Sequence, residues 1–414
     1  MHFHPSQFTD RPVILDGSTG MNLQKAGMSS GVCPEQWVLE HPDALIDLQR
    51  RFVQAGSNAV YAPTFGANRV KLHQYGLEDH TAEMNRELVS LSRKAVGEDA
   101  AVGGNLSSLG QFIEPFGNYT FEEIVEIYRE QALALEEAGV DFFVAETLTQ
   151  LFEARAALLA VRSVSQKPFI ASITVESNGR MLGGTDPLTA LTVMQSMGAD
   201  AFGINCSNGP AEIAEILEQL TPHAKIPLLA KPNAGLPETL PDGTAHYHMT
   251  PEVFAAYAPR FAAAGAALIG GCCGTEPAHI AALSAAVTAP KQPAMPEETL
   301  LATEKATFDL NGLQPIGAPI NAPGELADAI LDCEADEDEV VVIALHGDDD
   351  ISDLIENGFQ LMNPVCFCTE DADRMEQALR VYQGRALMQC GQMAPETVAM
   401  LAARYGAIPC ASRE

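Results

Sequence analysis

The sequence is poor in positive charge: its 414 residues hold 24 Lys and Arg against 55 Asp and Glu, a formal net charge of −31 at pH 7. A chain of that sign repels phosphate backbones, so nucleic acid is not an expected partner. Long apolar runs are also missing; none reaches the roughly 18 residues that a membrane-spanning helix needs, and no membrane role is expected. The opening Met1-His2-Phe3-His4-Pro5 lacks the basic and apolar regions of a secretory signal, so the expected location is cytoplasmic. Cysteine is sparse, with nine in all. That is not disulfide density, and in a reducing compartment clustered thiols serve more often as metal ligands or catalytic groups. A Gly-rich phosphate-binding turn is absent after the first apolar run, where Asp16-Gly17-Ser18-Thr19-Gly20 stands. This argues against a doubly wound dinucleotide fold.

What is present is a regular alternation. Eight short apolar runs recur: Val13–Leu15, Ala59–Ala62, Ala100–Gly103, Asp141–Ala145, Phe169–Ile173, Ala201–Ile204, Ile226–Ala230 and Ala266–Ile269. Near-continuous apolar strands of this kind are buried on both faces, which implies parallel pairing under a helical layer. Between them lie stretches of helical period. Thr120-Phe121-Glu122-Glu123 predicts a capping box opening a helix that runs to Ala138, and others are expected over Pro210–Leu220 and Thr250–Ala264. The fold class expected is α/β, a (β/α)8 TIM barrel with a small C-terminal α/β domain. In such a barrel, functional groups follow strand ends. Each run here is followed by one: Asp16, Thr64, Asn105, Glu146, Thr174, Asn205-Cys206, Lys231-Pro232-Asn233 and Cys272-Cys273, in that order.

The last of these is the most informative. Alone, the vicinal pair in Gly270-Gly271-Cys272-Cys273-Gly274-Thr275 reads as two buried thiols or a redox-active disulfide. Cys206, at the end of a neighbouring strand, adds a third thiol. Three protein ligands with one position open is the catalytic zinc pattern, as opposed to the closed four-ligand structural one. An incoming thiol on such an ion would be deprotonated, ready to attack an activated methyl group. His246 and His248 invite a metal reading too, but the thiols already supply a set.

Several motifs together resemble the homocysteine S-methyltransferase family, and within it the homocysteine-binding module of cobalamin-dependent methionine synthase. They are Asp16-Gly17 with Gly20-Met21, Thr64-Phe65-Gly66-Ala67-Asn68, Gly203-Ile204-Asn205-Cys206, Lys231-Pro232-Asn233-Ala234-Gly235-Leu236-Pro237, and Gly270 through Thr275. The likeness covers about residues 10–288. It implies a barrel in which Cys206, Cys272 and Cys273 bind Zn2+ and the sulfur of L-homocysteine takes the open position. It further implies that Glu146 binds the substrate amino group, with Asp16 in a similar role. Thr64, Asn205 and Asn233 are further candidate substrate contacts, although turn residues would fill the same places. The methyl donor stays open. Methylcobalamin on a corrinoid partner, fed from 5-methyltetrahydrofolate by a folate-binding one, is the leading reading; S-methylmethionine and betaine are alternatives. A non-catalytic thiol- or zinc-binding module is the alternative of another class.

The expected organisation is a barrel over residues 1–290, a Pro-, Gly- and Ala-rich linker over 291–323, and a small acidic α/β domain over 324–414. Charge marks the change: residues 1–299 hold 34 acids and 18 bases, residues 300–414 hold 21 and 6. Strands are expected at Glu339–Leu345, Pro364–Cys368 and Ala386–Met388, with helices at Ile351–Asn357 and Asp371–Tyr382. Part of this tail is similar to a strand-helix-strand stretch of the folate-binding barrel that follows the module in methionine synthase. It is too short for a full barrel, and Cys368 and Cys390 stand where that barrel has polar residues. A second metal site at Cys366, Cys368 and Cys390 is set aside, on the reasoning that thiols alternating along a strand face opposite ways. The acidic tail is a candidate dock for the donor-bearing partner.

Overall fold

The computed structural model describes residues 10–206, 208–239, 245–313, 326–327 and 340–410. The eight apolar runs form one parallel sheet of eight strands. In chain order they are β1 (Val13–Ile14), β2 (Ala59–Tyr61), β3 (Ala101–Ser107), β4 (Phe142–Leu148), β5 (Phe169–Ile173), β6 (Ala201–Asn205), β7 (Leu228–Lys231) and β8 (Ala266–Ile269). Consecutive strands pair from β2 through β8, and β8 pairs with β1, Val13 opposite Leu268. The inner face packs Val13, Leu15, Tyr61, Phe142, Val144 and Leu229 into one core cluster. A second, larger cluster fills the layer between strands and helices. Burial on both faces is what the unbroken apolar runs require.

The ring closes between β1 and β2 without a regular ladder among the described residues. One backbone hydrogen bond and several side chains make the seam instead. Asn58 donates its backbone N–H to the Ile14 carbonyl at 2.7 Å and accepts the Ile14 N–H on Oδ1 at 3.0 Å. The Ser57 hydroxyl donates to the Leu15 carbonyl, and Asp16 Oδ2 accepts the Tyr61 N–H at 2.9 Å.

Two sequence expectations about local structure change. First, β3 and β4 run past their apolar segments, with Asn105 opposite Val144 and Ser107 opposite Glu146 in register. Asn105 and Glu146 therefore sit on strands, held by the ladder, and not on loops. Second, the helix expected over Thr250–Ala264 is two, Pro251–Ala255 and Ala258–Ala263. Pro259 has no N–H to give the Ala255 carbonyl, and the helix breaks there. The capping box at Thr120 and Glu123 and the helix Pro210–Leu220 form as read.

Beyond the barrel, strands Val341–Ala344, Val365–Cys368, Leu387–Gln389 and Ile408–Pro409 form a second parallel sheet in sequence order. The helix Pro395–Tyr405 and the last strand were not among the sequence expectations. Within the span read as linker, Leu300–Ala302 and Thr307–Asp309 form an antiparallel hairpin. Ala302 exchanges backbone hydrogen bonds with Arg385, which ties the hairpin to the second sheet. Residues 314–323 and the acidic Glu334–Glu339 lie outside the described residues. Arg155, fully buried on the helix Leu151–Val164, joins the two sheets' layers. Its guanidinium donates to the carbonyls of Leu379 and Arg380 and to Gln383 Oε1, at the end of the helix Ala372–Val381. A cation there meets the carbonyls that a helix C-terminus leaves unpaired.

The expectation that Cys366 and Cys368 face opposite ways is corrected. They are two residues apart and share a face, where with Cys410 they pack in the small core of Leu301, Val340 and Val342. Cys390 belongs to the other cluster. No helix among the described residues is long and apolar enough to cross a membrane.

Candidate active site

The strands deliver their C-terminal ends to one cavity of about 1120 Å³, lined among others by Asp16, Tyr61, Asn105, Glu146, Lys231 and the three thiols. Cys206 follows β6 in the left-handed backbone region, with φ of 61°. That conformation is uncommon for a side-chain-bearing residue and is held from outside. Its N–H donates to the Lys231 carbonyl at 3.2 Å. The segment after β7 then grips the vicinal pair. Cys272 N–H donates to the Pro232 carbonyl at 2.7 Å, Ala234 N–H to the Cys273 carbonyl at 2.8 Å, and Cys273 N–H to Asn233 Oδ1 at 3.1 Å. Gly274 has φ of 80° and lies under the Tyr247 ring, where an added Cβ would come within 2.4 Å of Cγ.

These constraints bring Cys206, Cys272 and Cys273 Sγ within 4.8 Å of one another, with Cys206 and Cys273 3.8 Å apart. A tetrahedral zinc with bonds of about 2.3 Å places its sulfurs about 3.8 Å apart. The donor set thus fits a soft, borderline cation in both chemistry and spacing. Without one, Cys272 and Cys273 hold their protons more tightly than a free thiol. The hydrogen bond shared with Cys206, together with burial, pushes Cys272 up to about 11, and hydrogen bonds to Cys206 and Cys272 raise Cys273 further. Tyr247 is half-buried and hydrogen-bonded to Cys273, and desolvation with the neighbouring thiol raises its pKa.

Beside the thiols lies a buried charge cluster. Lys231 Nζ is 3.3 Å from Asp16 Oδ1, 3.6 Å from Glu146 Oε2 and 4.1 Å from the centre of the Tyr61 ring. Burial alone would lower the Lys231 pKa, but the two carboxylates outweigh it and hold the ammonium charged. Burial lifts Asp16 from its ordinary 3.8 to about 6, with Lys231 opposing the rise. Glu146 is raised for the same reason, again against Lys231. Asn105 Nδ2 donates to Glu146 Oε1 at 2.7 Å. Asp16 Oδ1, Glu146 Oε2 and Asn105 Oδ1 are buried acceptors without a well-aligned hydrogen bond among the described residues. Two of them are met only by the Lys231 charge, which leaves acceptor capacity on three residues that line one cavity.

Of the residues expected from sequence, the cavity gathers Asp16, Glu146, Cys206, Cys272 and Cys273. Thr64 is turned into the wall, donating to the Asn105 carbonyl at 2.8 Å and accepting its N–H at 3.0 Å. Asn205 stands behind the thiols. Its Oδ1 accepts from Ser172 Oγ and the Thr147 N–H, while its Nδ2 donates to Thr147 Oγ1. Asn233 holds the Cys273 backbone, and Asn68 caps the helix Arg69–His73. His246 and His248 are exposed and meet edge to face, with His248 on Glu238. The residue between them, Tyr247, faces the thiols. Asn105 and Lys231, noted at strand ends, also line the cavity; Tyr61 was missed, as was the place of Lys231 at the centre of the charge cluster. A lysine ending an apolar strand was the available signal, since such a charge must be compensated where it is buried.

A family model described as homocysteine S-methyltransferase matches residues 13–287. The methionine synthase of Mycobacterium tuberculosis is 33% identical over 301 residues, 69% of this chain and 25% of that protein. That of Mycobacterium leprae is 33% identical over 294 residues, 67% of this chain and 24% of that protein. The matched stretch thus spans about a quarter of these relatives. Among solved structures, the homocysteine methyltransferase MmuM from Escherichia coli, in its metallated form, superposes with a TM-score of 0.57 at 25% identity. That likeness covers 68% of this chain and 98% of that one. With the barrel, the strand-end thiols and these likenesses together, the chain belongs to the homocysteine S-methyltransferase family.

Proposed function

We propose that this chain moves a methyl group to the sulfur of L-homocysteine, forming methionine. The observation that carries the reading is the convergence of three thiols with two buried carboxylates in one cavity. Cys206, Cys272 and Cys273 would hold Zn2+, which when bound supplies the Lewis acidity that makes a substrate thiol ionise near neutral pH. The chain's own residues then orient the amino acid. Asp16 Oδ1, Glu146 Oε2 and Asn105 Oδ1 offer acceptors to its ammonium group, and Lys231 keeps both carboxylates ionised by charge proximity. Asn233 and Asn205 fix the thiol-bearing backbone, so Cys206 and Cys273 do not have to be ordered on binding. In the transfer, the sulfur lone pair forms the new S–C bond, the thiol proton leaves to solvent, and the donor keeps the electrons of the bond that breaks.

The donor proposed is methylcobalamin on a corrinoid partner protein, remethylated from 5-methyltetrahydrofolate by a folate-binding partner. The matched relatives are methionine synthases, aligned over only a quarter of their length, which supports a donor supplied from outside this stretch. The proposed division gives this chemistry to residues 1–290, with 291–323 connecting to a unit over 324–414 that docks the partner. S-methylmethionine or betaine as donor is the second reading, favoured by the near-complete coverage of the Escherichia coli homocysteine methyltransferase. The test is metal content followed by methionine formation from homocysteine with each donor. Stoichiometric zinc and turnover with methylcobalamin are expected. Turnover only with an onium donor would select the second reading, and zinc without turnover on any donor would leave a thiol-binding module.

A further inference from the structure

A second cleft, of about 1000 Å³, lies between the barrel rim and the C-terminal sheet and shares no lining residue with the thiol cavity. Its walls are aromatic: Phe112 and Phe116 from the segment after β3, Phe121, Phe152, and Phe359 and Tyr382 from the C-terminal unit. Phe116 meets Phe359 edge to face, with ring centres 4.9 Å apart, although Phe116 stays 67% exposed. Phe112 and Phe359 are exposed as well, whereas Phe152 and Tyr382 are buried and form the floor. The Phe121 ring already faces the Arg155 guanidinium. The three open rings suit a partner for their faces.

The polar side of the cleft is one-signed. Three carboxylates line it, Glu114, Glu122 and Glu304, and no lysine or arginine does so among the described residues. Glu122 is taken up by Arg380, which pairs with both of its oxygens. Glu304 is different. It sits on the turn of the hairpin, half-buried, with no hydrogen bond or ion pair among the described residues. Burial raises its pKa, and the only charge acting against that is its neighbour Lys305. A desolvated acid facing aromatic rings is costly as it stands, and a cation relieves it. An anion would meet the same acids with like charge. A neutral apolar ligand would shut Glu304 away from water with nothing in exchange.

We propose that this cleft is a binding site for a small organic ammonium ion, its charge met by Glu304 and its apolar body held by the open rings of Phe112, Phe116 and Phe359 over a floor of Phe152 and Tyr382. The site is separate from the methyl-transfer cavity and does not depend on the activity proposed for it. Choline and its neutral isostere 3,3-dimethylbutan-1-ol are suitable probes, titrated calorimetrically against the full chain. Choline is expected to bind at one site per chain, with the isostere and the Glu304→Gln variant each weaker by about tenfold or more. Phe359→Ala should weaken it as well, while Cys273→Ser should leave it unchanged. Ligand-observed NMR on the same samples, with circular dichroism, separates lost binding from a variant that has not folded. Equal affinity for choline and the isostere would overturn the proposal, as would an unaffected Glu304→Gln, loss of binding in Cys273→Ser, or no choline binding to the folded wild type.

Discussion

Both halves of this chain carry cysteines near the ends of parallel strands, yet only one half gathers them into a ligand set. In the barrel, Cys206, Cys272 and Cys273 come from two strand ends and meet within 4.8 Å. In the C-terminal sheet, Cys366 and Cys410 approach to 3.7 Å, but Cys368 and Cys390 do not complete a group of three with them among the described residues. The difference is curvature and charge. A closed barrel turns its strand ends toward a common axis, whereas an open sheet sets them in a row about 4.8 Å apart per strand. The barrel also backs its thiols with Lys231, Asp16 and Glu146. Cys366, Cys368 and Cys410 are backed by Leu301, Val340 and Val342, an apolar floor in place of those charges. The hydrogen bond with Cys410 and burial raise Cys366, burial raises Cys368, and only Cys410 is lowered, by that same bond.

The comparison can be broken at its strongest point first. Cys273→Ser is expected to abolish stoichiometric metal binding and to lower methionine formation on the order of a thousandfold, the scale of losing a catalytic metal. The double change Cys366→Ser with Cys410→Ser should leave metal content and rate within about twofold. Metal lost from the tail variant would end the distinction. Next in size is Arg155→Ala, which leaves the Leu379 and Arg380 carbonyls without their donor. A loss of about 3 kcal/mol is expected in urea unfolding, with the Cys366 thiol labelled by Ellman's reagent before the barrel thiols. Simultaneous labelling of the two sets would show that the halves do not open separately.

Smaller effects sharpen the barrel side. Glu146→Gln should raise the KM for homocysteine about 10- to 100-fold with a lesser change in kcat, because it removes one charge proposed to meet the ammonium group. A change confined to kcat would instead place Glu146 outside substrate binding. Last is pH. Asp16 must be ionised to attract an ammonium group, and burial has moved it to about 6. KM is therefore expected to be flat above pH 7 and to rise about tenfold per unit below 6. Asp16→Asn should remove that limb, and a limb that persists belongs to another group. For stability the same shift acts oppositely: a carboxyl raised in the folded state weighs against folding above pH 6, and that cost fades as pH falls toward 3.8.

Much of this was legible in the sequence, for identifiable reasons. Apolar runs and Gly270-Gly271-Cys272-Cys273-Gly274 are local patterns, and the barrel topology converts spacing along the chain into convergence at one face. What escaped was set by distant neighbours. Lys231 becomes the centre of the charge cluster only because β1, β2 and β4 bring Asp16, Tyr61 and Glu146 around it. Tyr247 outranks the histidines on either side because of which way a short loop turns over Gly274. Thr64 looked like a pocket residue but is used to tie β2 to β3. The final helix, Pro395–Tyr405, is short of the large apolar residues that mark a helical stripe; the buried ones are Leu401 and Tyr405.

The seam of the barrel limits how the site can be remodelled. Asp16 spends one oxygen on the Tyr61 N–H that closes the ring, and the other faces the cavity beside Lys231. A change of substrate that required Asp16 to vanish would open the wall in the same step. Asparagine can keep the seam acceptor and alanine cannot. Glu146 is held in register opposite Ser107 on the β3 side, although the register with β5 shifts there, and its side chain closes no seam of the ring. Variation in amino-acid preference should accumulate on the Glu146 side of the pocket, leaving the Asp16 side as the fixed wall against which new substrates are fitted.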